Sequence, residues 1–339
     1  MKQRKFKWTT ALGVATVAAA TAAAANYLST KYFLKLALDR QQPIANQPMV
    51  MKTATRLLTG MADEEAFFAA LDAAKEALGQ KENETVSITA ADGETLVGHW
   101  IGQENAKRVI IAMHGWRSSW NRDFGMVADA WAENGCSVLF AEQRGQNNSG
   151  GDHMGFGLTE RFDCLDWVRW VTKRVGTDLP IYLCGVSMGA TTVLMADGLG
   201  LPSNVHGIMA DCGFTSPHAI FKHIANDNLH ISYCMRGAIA DVLMRKKLPD
   251  QSANESTVDA LKKGTVPVLF IHGTDDHFVP VTMTYANYKA CTAPKRLFVV
   301  PGADHGMSYF VDKEGYEKAV KDFWQEFDAV PSAGEAPAE

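Results

Sequence analysis

An apolar run that ends in a glycine-flanked serine constrains the fold of this chain most strongly. Residues 181–195 read IYLCGVSMGATTVLM, so a strand-like segment leads to Ser187 and a helix-like segment follows it. A Gly-x-Ser-x-Gly motif in this context forms a tight turn, where side chains at Gly185 or Gly189 would clash. The helix that follows points its N-terminal amides at developing negative charge. Ser187 is therefore predicted to be a nucleophile if the chain also supplies a base and an acid.

Strand-like and helix-like segments alternate along most of the chain. RVIIAMHG is a continuous apolar run, typical of a strand buried on both faces of a parallel sheet. Similar strand-like runs recur downstream as CSVLFAE, PIYLCGV, VHGIMADCGF, TVPVLFIHG and RLFVVPG. An antiparallel hairpin with its turn at 91–93 is predicted to precede them. This alternation predicts an α/β fold, with a mostly parallel central sheet and helices on both faces.

The same pattern divides the chain into segments. We expect an N-terminal leader over 1–30, a helical lead-in over 31–81 and the main α/β domain over 82–329. Within that domain, the interval 215–264 is helical in character and lies between two strands. It is predicted to be a cap above the C-terminal edge of the sheet, where α/β folds bind ligands. The low-complexity tail 330–339 is predicted to be disordered.

The leader combines a basic start with an apolar stretch. Four basic residues precede WTTALGVATVAAATAAAANYLST, which has the length of a membrane helix but is rich in alanine and threonine. This is the pattern of a signal peptide or a signal anchor, and 23–25 provides an A-x-A cleavage site. Whether it is cleaved is left open. An anchor would contact the membrane through this segment, and in either case the body would lie outside the cytoplasm. A soluble alanine-rich helix is the alternative.

Charge and cysteine content exclude some functions. The net charge of -5 offers no basic excess to neutralise phosphates, so a nucleic-acid partner is not expected. The six cysteines are scattered without a C-x-x-C motif or metal-like spacing. The sequence has no P-loop and no G-x-G-x-x-G motif after the first strand, and the mechanism predicted below implies no metal or organic cofactor. We interpret the cysteines as structural, and the sequence leaves open whether any of them pair.

The base and the acid are predicted at the ends of the two strands that follow the serine motif and the cap. VLFIHGTDDHFVP places Asp276 just after one strand, and LFVVPGADHGMSY places His305 after the next. The order serine, aspartate, histidine is the one that this type of turn requires. Asp276 is predicted to be the acid and His305 the base. Asp275 and Asp211 are the alternative acids, and His272 and His277 are competing histidines that lie beside the acid.

An oxyanion hole needs two backbone amides aimed at the charged oxygen. One is predicted to come from Met188, which follows the nucleophile. The other is predicted to come from Trp116, in the loop after RVIIAMHG. His114 in that loop is interpreted as a structural hydrogen-bonding residue.

These motifs together resemble those of the α/β-hydrolase superfamily. MHGW, GVSMGA, HGTDDHFVP and GADHGMS occur in the order and spacing of its bacterial serine-hydrolase branch, which includes serine aminopeptidase-like and acylglycerol-lipase-like proteins. ADCGFTSP and ERFDCLDWVRWV resemble membrane-anchored or exported members from Gram-positive bacteria. The resemblance implies an α/β-hydrolase fold with a helical cap. In one place the chain departs from the pattern: EQRGQNNSGG has Gln146 and Asn147 where relatives often have histidine and glycine.

The predicted activity is hydrolysis of carboxylic esters by a Ser-His-Asp triad through an acyl-enzyme. The expected partner is a small-molecule ester or peptide substrate. A serine peptidase or aminopeptidase of the same fold is the enzymatic alternative. A non-catalytic binding protein on a hydrolase fold, displayed at the cell surface, is the alternative from another class.

Overall fold

The computed structural model describes residues 2–40, 65–248 and 251–328, with side chains in the first helix described from residue 14 onward. The predicted tail 330–339 lies outside the described residues. The strands are β1 (Glu84–Thr89), β2 (Thr95–Ile101), β3 (Arg108–Met113), β4 (Cys136–Ala141), β5 (Ile181–Val186), β6 (Val205–Asp211), β7 (Val268–Gly273) and β8 (Lys295–Val300).

Helices precede, separate and follow these strands. They are α1 (Lys2–Leu38), α2 (Glu65–Gly79), α3 (Trp120–Phe124), α4 (Ala128–Glu133), α5 (Glu160–Val175), α6 (Met188–Asp197), α7 (Pro217–His223), α8 (Cys234–Lys247), α9 (Thr257–Leu261), α10 (Val281–Ala290), α11 (Ser308–Val311) and α12 (Lys313–Phe327). A short π-helical segment (Ile224–Asn228) continues α7 within the cap.

The eight strands form one sheet in the order β1-β2-β4-β3-β5-β6-β7-β8. β1 pairs antiparallel with β2, and β2 pairs antiparallel with β4, whereas every later pairing is parallel. The central strands β3, β4 and β7 are buried along their whole length, as a parallel sheet covered on both faces requires. The predicted α/β architecture with a mostly parallel sheet is confirmed.

Two apolar layers flank the sheet and a third lies under the cap. α5, α6 and α9 cover one face, while α3, α4 and α12 cover the other. The third cluster joins the cap to the end of α1, because Leu34 and Leu38 are buried against cap residues that include Ile220 and Met244. The cap therefore packs both on the sheet domain and on the N-terminal helix.

The first helix runs without a break through residue 30, where the sequence predicted the end of a leader. Among the described residues, no helix combines the length and the apolar character that crossing a membrane requires. The membrane anchor and export by a cleaved signal both stay predictions.

The segment between β3 and β4 forms two short helices, α3 and α4. The break lies at Gly125, where α2 crosses closely: a Cβ on this glycine would lie 2.6 Å from the carbonyl oxygen of Ala74. Close packing of α2 at this point coincides with the break, and that packing depends on residues fifty positions away.

Arg144 ties the loop after β4 to two other parts of the fold. Its Nε and Nη2 donate to the two carboxylate oxygens of Asp163 on α5, at 2.6 and 2.5 Å. Its Nη1 donates to Asp92, in the turn of the β1–β2 hairpin, at 2.6 Å. Arg144 and Asp163 are both buried. A buried ion pair joined by two hydrogen bonds fixes the relative position of its two side chains. Removing one partner leaves the other as an unpaired buried charge.

Replacing Arg144→Ala should therefore lower the free energy of unfolding by about 3–5 kcal/mol, because the buried Asp163 carboxylate loses its partner. Urea denaturation followed by circular dichroism measures this change. Arg169→Ala is the matched control: Arg169 pairs with Asp166 on the same helix but is largely exposed, so its loss should change stability by less than about 1 kcal/mol. Equal effects of the two variants would contradict the assigned role of Arg144.

Candidate active site

Ser187 lies at a strained turn between β5 and α6. Its φ is 56° and its ψ is -115°, a left-handed backbone conformation that a residue with a side chain rarely adopts. The Ser187 N–H donates to the carbonyl oxygen of Asp211 at the end of β6, at 2.8 Å. This bond between neighbouring strand ends helps hold the strained turn in place, and strain of this kind is typical of functional sites.

Glycine is required on both sides of Ser187 for a steric reason. A Cβ on Gly189 would lie 1.8 Å from the carbonyl oxygen of Met113, at the end of β3. A Cβ on Gly185 would lie 2.2 Å from the carbonyl oxygen of Gly189. The clash that the sequence motif predicts is thus present at both positions, and the backbones of β3, β5 and α6 meet closely around the serine.

His305 connects Ser187 to Asp276. The imidazole Nδ1 lies 2.7 Å from Asp276 Oδ2, and Nε2 lies 2.9 Å from Ser187 Oγ. Since a carboxylate only accepts, Nδ1–H donates to Asp276 and Nε2 accepts from the serine hydroxyl. The structure therefore brings together the three side chains that were predicted to form a triad, from the ends of β5, β7 and β8.

Asp276 is held by more partners than the sequence indicated. Its Oδ1 accepts from the backbone N–H groups of Phe278 and Val279, at 2.9 and 2.7 Å. Its Oδ2 accepts from His272 Nε2 at 3.0 Å as well as from His305. His272 is fully buried, and Thr284 lies 2.6 Å from its Nδ1. His272 thus positions the acid, whereas the sequence suggested it only as a competing base. The signal was its place four residues before Asp276.

Burial and charge have opposite effects on the pKa values of Asp276 and His305. Burial raises the pKa of Asp276, but the adjacent His305 and the hydrogen bond from His272 outweigh burial and hold that pKa below its usual value. For His305, burial lowers the pKa, but the Asp276 carboxylate outweighs burial and raises it well above its usual value. Asp276 is therefore ionised at neutral pH, and its charge makes His305 a stronger base.

The alternative acids and bases lie elsewhere. Asp275 is exposed and accepts from the hydroxyl of Thr274, its own neighbour. The side chain of His277 is 66% exposed and contacts Asp304. Asp211 is buried near the triad, and burial raises its pKa to about 6, but its observed hydrogen bond is from the Ser308 hydroxyl, at 3.3 Å. None of these three residues makes an observed hydrogen bond to His305.

The loop that was predicted to supply an oxyanion amide is braced on two sides. The N–H of Gly115 donates to Asp123 at 2.6 Å, and the N–H of Arg117 donates to Gln146 Oε1 at 2.6 Å. Asn147 Nδ2 donates to the carbonyl of Ser118 at 2.9 Å. Gln146 and Asn147, the two residues that depart from the pattern of relatives, thus hold this loop in position.

His114 is buried in the same loop. Its Nδ1–H donates to the carbonyl of Gly115 at 2.8 Å, and its Nε2 accepts from the N–H of Gln143 at 3.1 Å. Burial lowers the pKa of His114. A neutral imidazole with both nitrogens bonded to main chain acts as a structural link between β3 and the loop after β4.

The two predicted oxyanion residues lie on either side of the serine. Met188 is the first residue of α6, where backbone N–H groups have no partner within the helix. Trp116 lies beside Gly115, and a Cβ on that glycine would be 3.4 Å from Ser187 Cβ. Both residues therefore lie close to Ser187, while the roles of their amides stay predictions.

A cavity of about 300 Å³ opens onto Ser187 and His305. Phe67 and Leu71 of α2 line it on one side, and Asp211 and Tyr316 line it on another. Most of its wall is apolar, with a few converging polar groups, which is the usual composition of a small-molecule site.

Cys212 lies close to Asp276 and His305. Its Sγ and ligand atoms of Asp276 and His305 all fall within 4.8 Å of one another, a set of donors that suits a metal ion. Two of these three groups already hydrogen-bond within the triad, so a metal there would compete with it. Cys212 and the other five cysteines are free thiols, and of the six only Cys234 is exposed.

Comparison with known proteins agrees with this fold. A family model described as "Serine aminopeptidase, S33" matches residues 104–224. The esterase Pf2001 of Pyrococcus furiosus superposes with a TM-score of 0.60 and 20% identity, over 75% of this chain and 94% of the esterase. The chain therefore has an α/β-hydrolase fold. The strand order, the serine turn, and Asp276 and His305 after the later strands are all found together in this chain.

Two further similar proteins come from bacteria. The uncharacterized protein YqkD of Bacillus subtilis is 27% identical over 252 residues, which cover 73% of this chain and 81% of YqkD. Est1E of Butyrivibrio proteoclasticus, in a structure with bound ferulic acid, superposes with a TM-score of 0.54 and 21% identity, covering 72% and 100% of the two chains.

Burial and the charge of Asp276 have opposed effects on the pKa of His305, which leads to a prediction that NMR can test. In Asp276→Asn the carboxylate charge is gone and burial remains, so the pKa of His305 should fall from above its usual value to below it. Titration of the His305 imidazole by ¹H–¹⁵N NMR measures the shift. Asp275→Asn, which removes the exposed neighbouring carboxylate, should leave the pKa of His305 unchanged. A His305 pKa that is the same in both variants would show that Asp276 does not set it.

Proposed function

We propose that the chain is a serine hydrolase that cleaves carboxylic esters through an acyl-enzyme. One observation carries the proposal: His305 lies within hydrogen-bond distance of both Ser187 Oγ and Asp276 Oδ2. This is the arrangement that converts a weakly nucleophilic hydroxyl into an effective nucleophile. The esterases among its structural neighbours support an ester as the substrate class.

In the proposed reaction, Ser187 attacks the ester carbonyl while His305 Nε2 accepts the hydroxyl proton. Asp276 keeps Nδ1 protonated and stabilises the imidazolium that forms. The N–H groups of Trp116 and Met188 are proposed to bind the tetrahedral oxyanion. His305 then protonates the leaving alcohol, and water attacks the acyl-enzyme by the same route. The chain's own side chains are sufficient for each proton transfer.

An aminopeptidase-like activity is the second candidate, and one observation favours it. The Asp211 carboxyl lines the same cavity as Ser187, and its pKa of about 6 leaves it ionised at neutral pH. A buried carboxylate near the nucleophile is a suitable partner for the free amine of an aminoacyl substrate. The family model that matches residues 104–224 is described in the same terms.

The nucleophile is tested by Ser187→Ala. The value of kcat/KM on p-nitrophenyl esters should fall by about 10³–10⁶-fold, because triad members act as a unit. Wild-type protein should label with a fluorophosphonate, and Ser187→Ala should not. Ser203→Ala, at an exposed serine, should label like wild type. Folded wild-type protein that neither labels nor turns over esters would favour a non-catalytic binding protein.

The two enzymatic candidates are separated by Asp211→Asn. If the substrate carries a free amine, this variant should raise KM for aminoacyl p-nitroanilides by tenfold or more, because it removes the partner of the ammonium group. The values for uncharged p-nitrophenyl esters should change by less than about threefold. Efficient ester turnover with no measurable anilide turnover in wild type would exclude the aminopeptidase candidate.

A further inference from the structure

A second cavity, of about 140 Å³, lies between the end of α1 and the cap. Leu34 and Ala37 of α1 form one wall, and Phe221 and Ile224 of the cap form the opposite wall. The remaining lining is also mainly apolar. Its polar members are Thr30, Tyr233 and Arg236.

This cavity adjoins the one at the triad. Trp116 and Phe278 line both. The ring of Phe278 packs edge-on against His305, with ring centroids 5.1 Å apart. A substrate held at Ser187 therefore has an apolar space next to it, reached past two aromatic side chains.

The wall formed by α1 is held by hydrogen bonds to the loop that carries Trp116. The indole Nε1–H of Trp116 donates to the carbonyl of Ala37 at 2.8 Å, and the Arg117 guanidinium donates to the carbonyl of Leu36. Lys247 of the cap also pairs with Asp39 at 2.6 Å. The end of α1 is thus held both by the loop that carries Trp116 and by the cap.

We propose that this cavity binds the hydrocarbon chain of the ester substrate, with α1 as one of its walls. The inference rests on the proposed function of Ser187 and adds a preference for substrates with an extended apolar chain. An apolar cavity holds water poorly and gains from taking up hydrocarbon. Each buried methylene should raise kcat/KM by about fourfold until the cavity is filled.

The bound hydrocarbon chain can belong to either the acyl side or the alcohol side of the ester, and two substrate series separate these alternatives. A series of p-nitrophenyl esters from acetate to decanoate varies the acyl side. A series of acetate esters of linear alcohols from methanol to octanol varies the alcohol side. The series in which kcat/KM rises with length identifies the side that enters the cavity, and no rise in either series would overturn the proposal.

Variants that fill the cavity test whether it binds the hydrocarbon chain of the substrate. Ala37→Phe, on the α1 wall, should lower kcat/KM for the long-chain ester by tenfold or more and leave the shortest ester within about twofold. Ala24→Phe makes the same substitution at an exposed position of the same helix and should behave as wild type. Ala225→Phe fills the cavity from the cap side and keeps the test valid if Ala37→Phe displaces α1. Equal losses at every chain length, in both filling variants, would contradict the proposal.

Binding provides a readout that does not depend on turnover. Octanoate should bind to the Ser187→Ala protein in calorimetry, and adding Ala37→Phe should weaken this binding by tenfold or more. If wild type turns over no ester but octanoate binds in this way, the proposed function fails and the cavity assignment stands. If esters are turned over but octanoate binding is absent, or is the same in both proteins, the cavity assignment fails alone.

Discussion

The close approach of three backbones around Ser187 is the constraint on which the site depends. A side chain at Gly189 would collide with the carbonyl oxygen of Met113, so β3, β5 and the start of α6 can meet only with glycine there. This meeting point sets the left-handed backbone of Ser187 and directs its hydroxyl towards the ends of the later strands. At the same edge of the sheet, the chain that follows β7 and β8 places Asp276 and His305 beside the serine.

Much of the fold and the candidate site was predictable because the relevant signals are local. Buried parallel strands are continuous apolar runs, and the serine turn has its own motif. Polar residues directly after strands converge at one edge of a parallel sheet, which is why Asp276 and His305 could be named from the sequence. The structure adds that Asp276, and not the adjacent Asp275, faces the histidine.

What escaped sequence reasoning depends on contacts between distant segments. The close packing of α2 at the break between α3 and α4 is one case, since it involves Gly125 and a carbonyl fifty residues earlier. The role of His272 is another, because its place four residues before Asp276 was visible in the sequence but did not show which of its neighbours it would bond. The docking of α1 is the third. Several of its contacts are made through its own main-chain carbonyls, including those of Leu36 and Ala37, and main-chain groups have no signature in the sequence.

The attachment of α1 has a practical consequence for any engineering of this chain. Arg117 is buried, and its guanidinium donates to carbonyls at the end of α1, which is the negative end of the helix dipole. Burial lowers the pKa of Arg117 to about 10, and the charge of Asp39, just after α1, opposes this effect. A shortened protein that lacks α1 would leave that cation without its acceptors, two residues from Gly115. Tags and fusion partners therefore belong after residue 328, and the docked segment over residues 30–40 should be kept with the sheet domain.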